Sequence, residues 1–116
     1  MLSLASASKV IVHPGHTDMR LGVWGLSLKA GPLGEGEVHC FCSSDRRSAK
    51  LLVREGLSLW VLHKRLERGR FQWPSGSGLS RICVLQLQWL LDGPGSISAM
   101  EAAAAIATGP ARPSPR

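Results

Sequence analysis

Short apolar runs separated by glycine- and proline-rich breaks fill most of the chain, and their spacing predicts strands. "SKVIVHPG" places residues 10–12 between a polar start and a Pro-Gly break, which is typical of a short strand. In "EVHCFCS" the side chains alternate between two faces, with both cysteines on one face. "AKLLVR" and "LSLWVLHK" flank a Glu-Gly pair, which predicts a hairpin. "GRFQWP" could add another short strand, ended by its proline.

Two segments predict helices, one before and one after this hairpin. Thr17 or Asp18 can cap the first helix. The apolar residues at roughly helical spacing behind that cap are Met19, Val23, Leu26 and Ala30. The second segment, "LSRICVLQLQWLLDG", alternates like a strand but also carries a helical stripe. Its length and its closing glycine favour a helix.

These elements predict one α+β domain, with a small antiparallel β-sheet built from about residues 10–72 and a helix on either side of the main hairpin. We expect residues 1–8 to form a disordered N-terminus and residues 9–93 to form the domain. We expect residues 94–116, which are rich in Ala, Pro and Ser, to form a low-complexity, mobile tail. Within that tail, Ser98 and Glu101 form a capping box that could start a short helix.

Positive charge is concentrated in the middle of the chain. The whole sequence carries a net charge of +6, and residues 1–92 hold twelve basic and seven acidic residues, or +5. The stretch from Asp45 to Arg70 alone holds eight basic and three acidic residues, which is also +5. Such a cluster predicts attraction to phosphate or to another acidic surface, without naming the partner.

The basic residues that we expect to contact nucleic acid or a protein partner are mostly arginines, whose planar fork suits phosphate. They are Arg20, Arg46, Arg47, Lys64, Arg65, Arg68 and Arg70. The alternative is an ordinary solvated face. Phe71 and Trp73 follow directly and could stack on bases, but alternation places both opposite Gln72, which favours the core.

The sequence predicts no catalytic residues, cofactor, metal or small-molecule substrate. Its acidic residues are scattered, and "GPLGEGE" lacks the features of a phosphate-binding loop. A zinc set could be imagined from two histidines and three cysteines, but its spacing differs from that of a zinc knuckle; these residues are His39, Cys40, Cys42, His63 and Cys83. The sequence shows no signal peptide and no apolar run long enough to span a membrane. Its three cysteines are not spaced like a disulfide framework, which favours a cytoplasmic protein with reduced thiols and without membrane contact.

Three quoted motifs carry a family resemblance. "GHTDMR", then "KRLERGRFQWP", then "QLQWLLDG" resemble, in that order, the TnpB-type accessory proteins of the insertion-sequence 66 (IS66) family of bacterial transposable elements, over about residues 9–93. The positions that match the family motifs are Thr17, Asp18, Met19, Arg20, Lys64, Arg65, Leu66, Glu67, Arg68, Gly69, Arg70, Phe71, Trp73, Pro74, Gln86 and Leu87.

The resemblance implies a non-catalytic protein, encoded beside a separate transposase, that assists DNA transposition. Its expected partners are DNA, the transposase, or both. Two alternatives are a protein–protein adaptor without DNA contact and a non-functional transposon remnant. The remnant is suggested by departures from the family pattern, such as Cys83 where the family helix begins with Thr, and "GPGS" in place of "GIDW".

Overall fold

The alternating apolar runs form a five-stranded sheet in the computed structural model, which describes residues 3–92. The elements in chain order are a 3-10 turn (Leu4–Ser6), β1 (Lys9–Val12), α1 (Val23–Ala30), β2 (Glu37–Cys42), β3 (Ser48–Glu55), β4 (Ser58–Arg65), β5 (Ser80–Ile82) and α2 (Val84–Leu91). The strand order across the sheet is β4-β3-β2-β1-β5. The α+β class and the two helices flanking the β3–β4 hairpin are therefore confirmed.

The sheet is mixed rather than purely antiparallel, because β1 and β2 run parallel. Parallel neighbours need a long connection that returns the chain to the same end of the sheet. Residues 13–36 form this connection and contain α1. The other three strand pairs, β1–β5, β2–β3 and β3–β4, are antiparallel as the sequence predicts.

Each face of the sheet carries its own apolar core. The larger core takes alternate side chains of β1, β2 and β3, including both buried cysteines, and is covered by Leu87 and Leu90 of α2. The smaller core lies on the opposite face, where Leu26 of α1 packs against Phe41 and Leu52. Alternation along each strand thus assigns one helix to each face.

Two predicted elements were wrong. Neither Thr17 nor Asp18 caps α1, which begins at Val23 behind Gly22. The Asp18 carboxylate instead accepts the Arg20 backbone N–H at 2.9 Å, which forms a local turn that delays the helix. "GRFQWP" forms no strand; the fifth strand is Ser80–Ile82, at the start of the run assigned to the second helix. Pairing with β1 and burial of a strand side chain outweigh the local helical pattern there.

Segments before β1 and after β5 pack against the larger core. Leu4 and Ala7, within the segment expected to be disordered, pack against the larger core. The helix α2 is confirmed at residues 84–91, and Gln86 Oε1 accepts the Cys83 N–H at 2.9 Å at its start. The predicted tail and its short helix lie outside the described residues.

A buried histidine pair lies on the smaller-core face at the end of β1. His13 Nε2 and His39 Nδ1 are 2.8 Å apart, and His39 Nε2 lies 3.4 Å from Glu37 Oε1. A carboxylate can only accept, so the His39 Nε2 carries the proton and the His13 Nε2–H donates to His39 Nδ1. His13 also stacks on Phe41, with ring centroids 4.3 Å apart. Burial lowers the pKa of both imidazoles, which favours their neutral forms.

The β2–β3 hairpin loop depends on Arg46, the only non-glycine residue with a positive φ (62°) in the described part of the chain. Its backbone N–H donates to the Ser43 carbonyl at 3.1 Å, and its carbonyl accepts the Phe71 N–H at 2.7 Å. Its guanidinium donates to the Gly15 carbonyl. Arg46 therefore joins three separate segments and holds a strained conformation to do so.

We expect acid to destabilise the fold between about pH 6.5 and 4 through the histidine pair. Burial chiefly, with the neighbouring charges of His39 and Lys29, lowers the pKa of His13 from 6.5 to about 4, and burial also lowers that of His39. The unfolded chain therefore takes up protons first as the pH falls, so this stability is complete above pH 6.5 and is lost progressively toward pH 4. For His13 the loss is on the order of 3 kcal/mol.

Urea unfolding at pH 7.5, 6.0 and 5.0 measures this loss. The variant His13→Gln should flatten the dependence on pH, whereas His63→Gln, at an exposed position of β4, should leave it as in the wild type. A free energy of unfolding that stays constant between pH 7.5 and 5.0 in the wild type would contradict the assignment.

Substitutions of Arg46 should separate its two structural roles. Arg46→Ala and Arg46→Gly both remove the guanidinium bond to Gly15, but only glycine adopts a positive φ without strain. We expect Arg46→Gly to be more stable than Arg46→Ala by about 1 kcal/mol, and Arg46→Ala to be less stable than the wild type. Denaturant midpoints at pH 7.5 measure both differences, and equal stability of the two variants would disprove the strain.

Candidate nucleic-acid interface

Three loop segments meet at one end of the sheet, and we call this region the junction: residues 13–20, 43–47 and 66–74. Backbone hydrogen bonds join them. The Thr17 N–H donates to the Cys42 carbonyl at 2.8 Å, and the Gly15 N–H donates to the Pro74 carbonyl at 3.0 Å. The Leu66 N–H continues the β3–β4 ladder by donating to the Arg47 carbonyl at 2.8 Å. The first two quoted motifs, distant in sequence, are thus neighbours in the fold.

Phe71 and Trp73 fasten the third segment to the larger core. They are 2% and 8% exposed, and their rings pack edge to face with centroids 6.3 Å apart. The Trp73 indole N–H donates to the His13 carbonyl at 2.9 Å, so its polar atom is satisfied inside the protein. Both aromatics are core residues, as alternation favoured, and neither is exposed for stacking on a base.

Several of the predicted contact residues have partners inside the protein. Lys64 Nζ donates to the Leu91 carbonyl at the end of α2, and the Arg65 guanidinium donates to Ser48 Oγ at 3.0 Å. Together with the bond from Arg46 to Gly15, these hydrogen bonds join separate segments of the fold. Lys64 and Arg65 are nevertheless exposed, so part of each charged group faces solvent.

Arg20 forms an exposed ion pair within its own turn. Its guanidinium meets both carboxylate oxygens of Asp18, with the shortest contact at 2.7 Å. The side-chain and backbone hydrogen bonds from Arg20 lower the pKa of the Asp18 carboxyl to about 2. This pair stays ionised at physiological pH and nearly cancels the charge of Arg20, which makes Arg20 a weaker phosphate contact than its exposure suggests.

Among the predicted contact residues, Arg68 and Arg70 are exposed and have no polar partner within residues 3–92. They lie between Leu66, which continues the β4 ladder, and Phe71, which is buried. Their backbone is held at both ends, and their exposed guanidinium groups have no hydrogen-bond or ion-pair partner among residues 3–92.

An acidic residue shapes the neighbouring hairpin loop. The Asp45 carboxylate accepts the Ser43 hydroxyl at 2.6 Å and the Arg47 N–H at 3.0 Å. These hydrogen bonds, together with the nearby charges of Arg65 and Arg47, lower the pKa of Asp45. The negative charge of Asp45 is thus used to form the loop, and the arginines around it outnumber it.

Beside the junction lies an open cavity of about 650 Å³ that sequence reasoning did not anticipate. It is lined by the "TDM" part of the first motif together with Lys29, Ser48 and Arg65. Lys29 comes from the last turn of α1 and could not be connected with Arg65 from the sequence, because the two meet only through the packing of α1 on the sheet. The cavity holds charges of both signs.

The structure separates the residues once considered for zinc. Cys40 and Cys42 point into the larger core, whereas His39 points to the opposite face. Burial raises the pKa of both thiols, which keeps them protonated and poor as metal ligands. Among residues 3–92 no three His, Cys, Asp or Glu side chains are grouped so that they could hold a metal ion.

No helix within residues 3–92 has the length and apolar character to cross a membrane.

The family model for IS66 Orf2-like proteins matches residues 8–100. A curated relative, the "Uncharacterized protein y4hO" of Sinorhizobium fredii (strain NBRC 101917 / NGR234), is 36% identical over 100 residues, which cover 80% of this chain and 86% of the relative. No solved structure matches the chain. The family match points to an accessory role in transposition, and the chain belongs to the IS66 Orf2-like family.

Proposed function

We propose that this protein assists transposition by binding the phosphate backbone of nucleic acid through the basic side of the junction. The residues of this contact surface are Arg47, Lys64, Arg65, Arg68 and Arg70. The observation that supports the proposal most directly is the pair Arg68 and Arg70, exposed on a fixed backbone without partners inside residues 3–92. Arg20 and Arg46 contribute less, because their guanidinium groups are already engaged.

Fixed arginines suit phosphate for two physical reasons. A guanidinium on an anchored backbone loses less conformational freedom on binding than one on a mobile loop. Each phosphate that it neutralises also releases condensed counterions, which drives association at low salt. Contacts to phosphate recognise the charge of the backbone and carry no direct sequence information.

The protein acts in this proposal without catalysis of its own. IS66 Orf2-like proteins are accessory proteins and form no known enzyme class. The acidic residues of the junction are used for structure, since Asp18 pairs with Arg20 and Asp45 forms the hairpin loop. In this proposal the acidic residues hold the loops of the junction in place, and the basic residues bind the nucleic acid.

Single substitutions of the two open arginines test the phosphate contact. Arg68→Ala and Arg70→Ala should each weaken binding to duplex DNA severalfold at about 50–100 mM salt, and each should reduce the slope of log K against log salt by about 0.9. Fluorescence anisotropy with an unrelated DNA duplex, repeated over a salt series, measures both quantities. Both variants should retain wild-type thermal stability, because neither exposed side chain forms a hydrogen bond or an ion pair within the described residues.

Arg81→Ala is the matched control for these variants. Arg81 is also an exposed arginine, but it lies on β5 at the opposite edge of the sheet from β4. Removing it costs the same unit of charge and should leave the salt slope nearly unchanged. An equal loss of slope in all three variants would show that net charge alone is sensed, and undetectable DNA binding by the wild type would refute the proposal.

A second candidate is an adaptor that binds the transposase without touching DNA. The observation that favours it is Glu67, an exposed carboxylate between Arg65 and Arg68 that would repel phosphate but could pair with a basic partner. Co-purification with the element's transposase after nuclease treatment distinguishes the two functions. Survival of the wild-type complex, its weakening in Glu67→Gln and its loss in Glu67→Lys would favour the adaptor. A broad, non-cooperative unfolding transition would instead favour a remnant.

A further inference from the structure

The cavity beside the junction contains a buried side chain without an internal partner. Thr17 lines this cavity and is 4% exposed, and its hydroxyl forms no hydrogen bond within residues 3–92. Since no side-chain oxygen or nitrogen of the described residues is both fully buried and unpaired, this hydroxyl reaches the open space of the cavity. Its backbone is fixed there, because the Thr17 N–H donates to the Cys42 carbonyl at 2.8 Å. The hydroxyl is thus held where it can donate to a ligand.

Two basic side chains line the same cavity. Lys29, in the last turn of α1, is exposed and forms no hydrogen bond or ion pair within the described residues. Arg65 donates one N–H to Ser48 Oγ at 3.0 Å, which leaves further guanidinium N–H groups for a ligand. Ammonium and guanidinium groups can only donate, so these side chains suit a ligand rich in acceptor atoms.

The acidic residues of the cavity already have partners inside the protein. Asp18 accepts hydrogen bonds from the Arg20 guanidinium. Asp45 accepts the Ser43 hydroxyl at 2.6 Å and the Arg47 N–H at 3.0 Å. Both carboxylates therefore have basic residues beside them, whereas the lysine of the cavity has no carboxylate partner among residues 3–92. The unpaired charge of the cavity is positive, which favours an anionic ligand.

A phosphate monoester matches these groups in charge and in hydrogen bonding. It carries roughly 1.5 to 2 negative charges at neutral pH and presents three strong acceptor oxygens. The hydroxyl, the ammonium and the guanidinium of the cavity supply donors to these oxygens. A cavity of about 650 Å³ has the size of a small-molecule site and leaves room beyond the phosphate. The partly buried Met19 and Leu21 give it an apolar wall against which a sugar or a base can pack.

We propose that this cavity binds the terminal phosphate of a nucleotide, with Thr17, Lys29 and Arg65 as its donors. The phosphate comes from the end of a DNA strand or from a free nucleotide. The strand end is the source that the geometry favours, because Arg65 belongs both to the cavity and to the contact surface; this source rests on the proposed function. The "TDM" part of the first quoted motif, which the backbone contact leaves unused, gains a role in this site.

Titration of the full chain, freed of nucleic acid, with deoxyadenosine 5′-monophosphate tests the cavity alone. At millimolar concentration the NMR amide signals of Thr17 and Lys29 should shift and saturate. Deoxyadenosine, which lacks the phosphate, should bind roughly tenfold more weakly, and Lys29→Gln should weaken binding of the mononucleotide by a similar factor. Arg81→Gln removes an exposed positive charge from β5 and should bind as the wild type does. Absence of saturable shifts, or equal weakening in both variants, would overturn the proposal.

A matched pair of variants tests the buried hydroxyl. Thr17→Val removes the hydroxyl and keeps nearly the same shape, whereas Thr17→Ser keeps the hydroxyl. Thr17→Ser should bind the mononucleotide about severalfold more tightly than Thr17→Val, because only serine can donate to the phosphate. Thermal unfolding verifies that both variants are folded. Equal binding by the two folded variants would overturn the proposal; should either fail to fold, the exposed position of Lys29 decides.

Probes that differ only near the phosphate identify its source. If a strand end enters the cavity, a 5′-phosphate should strengthen duplex binding over a 5′-hydroxyl in the wild type but not in Lys29→Gln. Equal binding of both duplexes, with binding of the mononucleotide retained, would assign the cavity to a free nucleotide. Tighter binding of O-phosphoserine than of the mononucleotide would indicate a phosphorylated protein and overturn the proposal. The backbone contact fails separately, since it is refuted by the absence of duplex binding and the mononucleotide does not require it.

Discussion

The parallel pairing of β1 with β2 is the constraint on which the rest of the structure depends. Because the two strands run in the same direction, both stop at the same end of the sheet, and the loops that follow them lie side by side. Strand β3, antiparallel to β2, begins at that end of the sheet, and β4, antiparallel to β3, finishes there. The basic residues of the hairpin loop and of the segment after β4 are therefore brought together by strand direction. Their proximity is a property of topology before it is one of charge.

Much of this fold could be predicted from the sequence because the signals are local. Alternation defined the two faces of β2, the Glu-Gly pair marked the hairpin, and a helical stripe marked α2. The parallel pair and β5 could not be predicted in this way, because each depends on a partner far along the chain. The same holds for the buried His13–His39 contact between residues 26 positions apart. Local patterns specify elements, and non-local packing decides which elements become neighbours.

The candidate surface was predictable in location but not in detail. Counting charge identified the stretch from Asp45 to Arg70, and alternation assigned Phe71 and Trp73 to the core, which the structure confirms. A count of charges could not distinguish basic side chains that hydrogen-bond within the protein from exposed ones without an internal partner. Arg46 and Lys64 both donate to carbonyls of distant segments, and a carbonyl acceptor has no signature in the sequence. Arg68 and Arg70 differ from them only through the folded geometry.

The backbone hydrogen bonds of the junction have a thermodynamic consequence. The segments that carry the contact surface have little regular structure of their own, so their arrangement exists only while the sheet is folded. A polyanion that recognises this arrangement binds the native state and not the unfolded chain. Binding and folding are then linked, and the bound protein resists heat and proteolysis better than the free one. For a small accessory protein, the presence of its ligand would thus help to set its lifetime as well as its location.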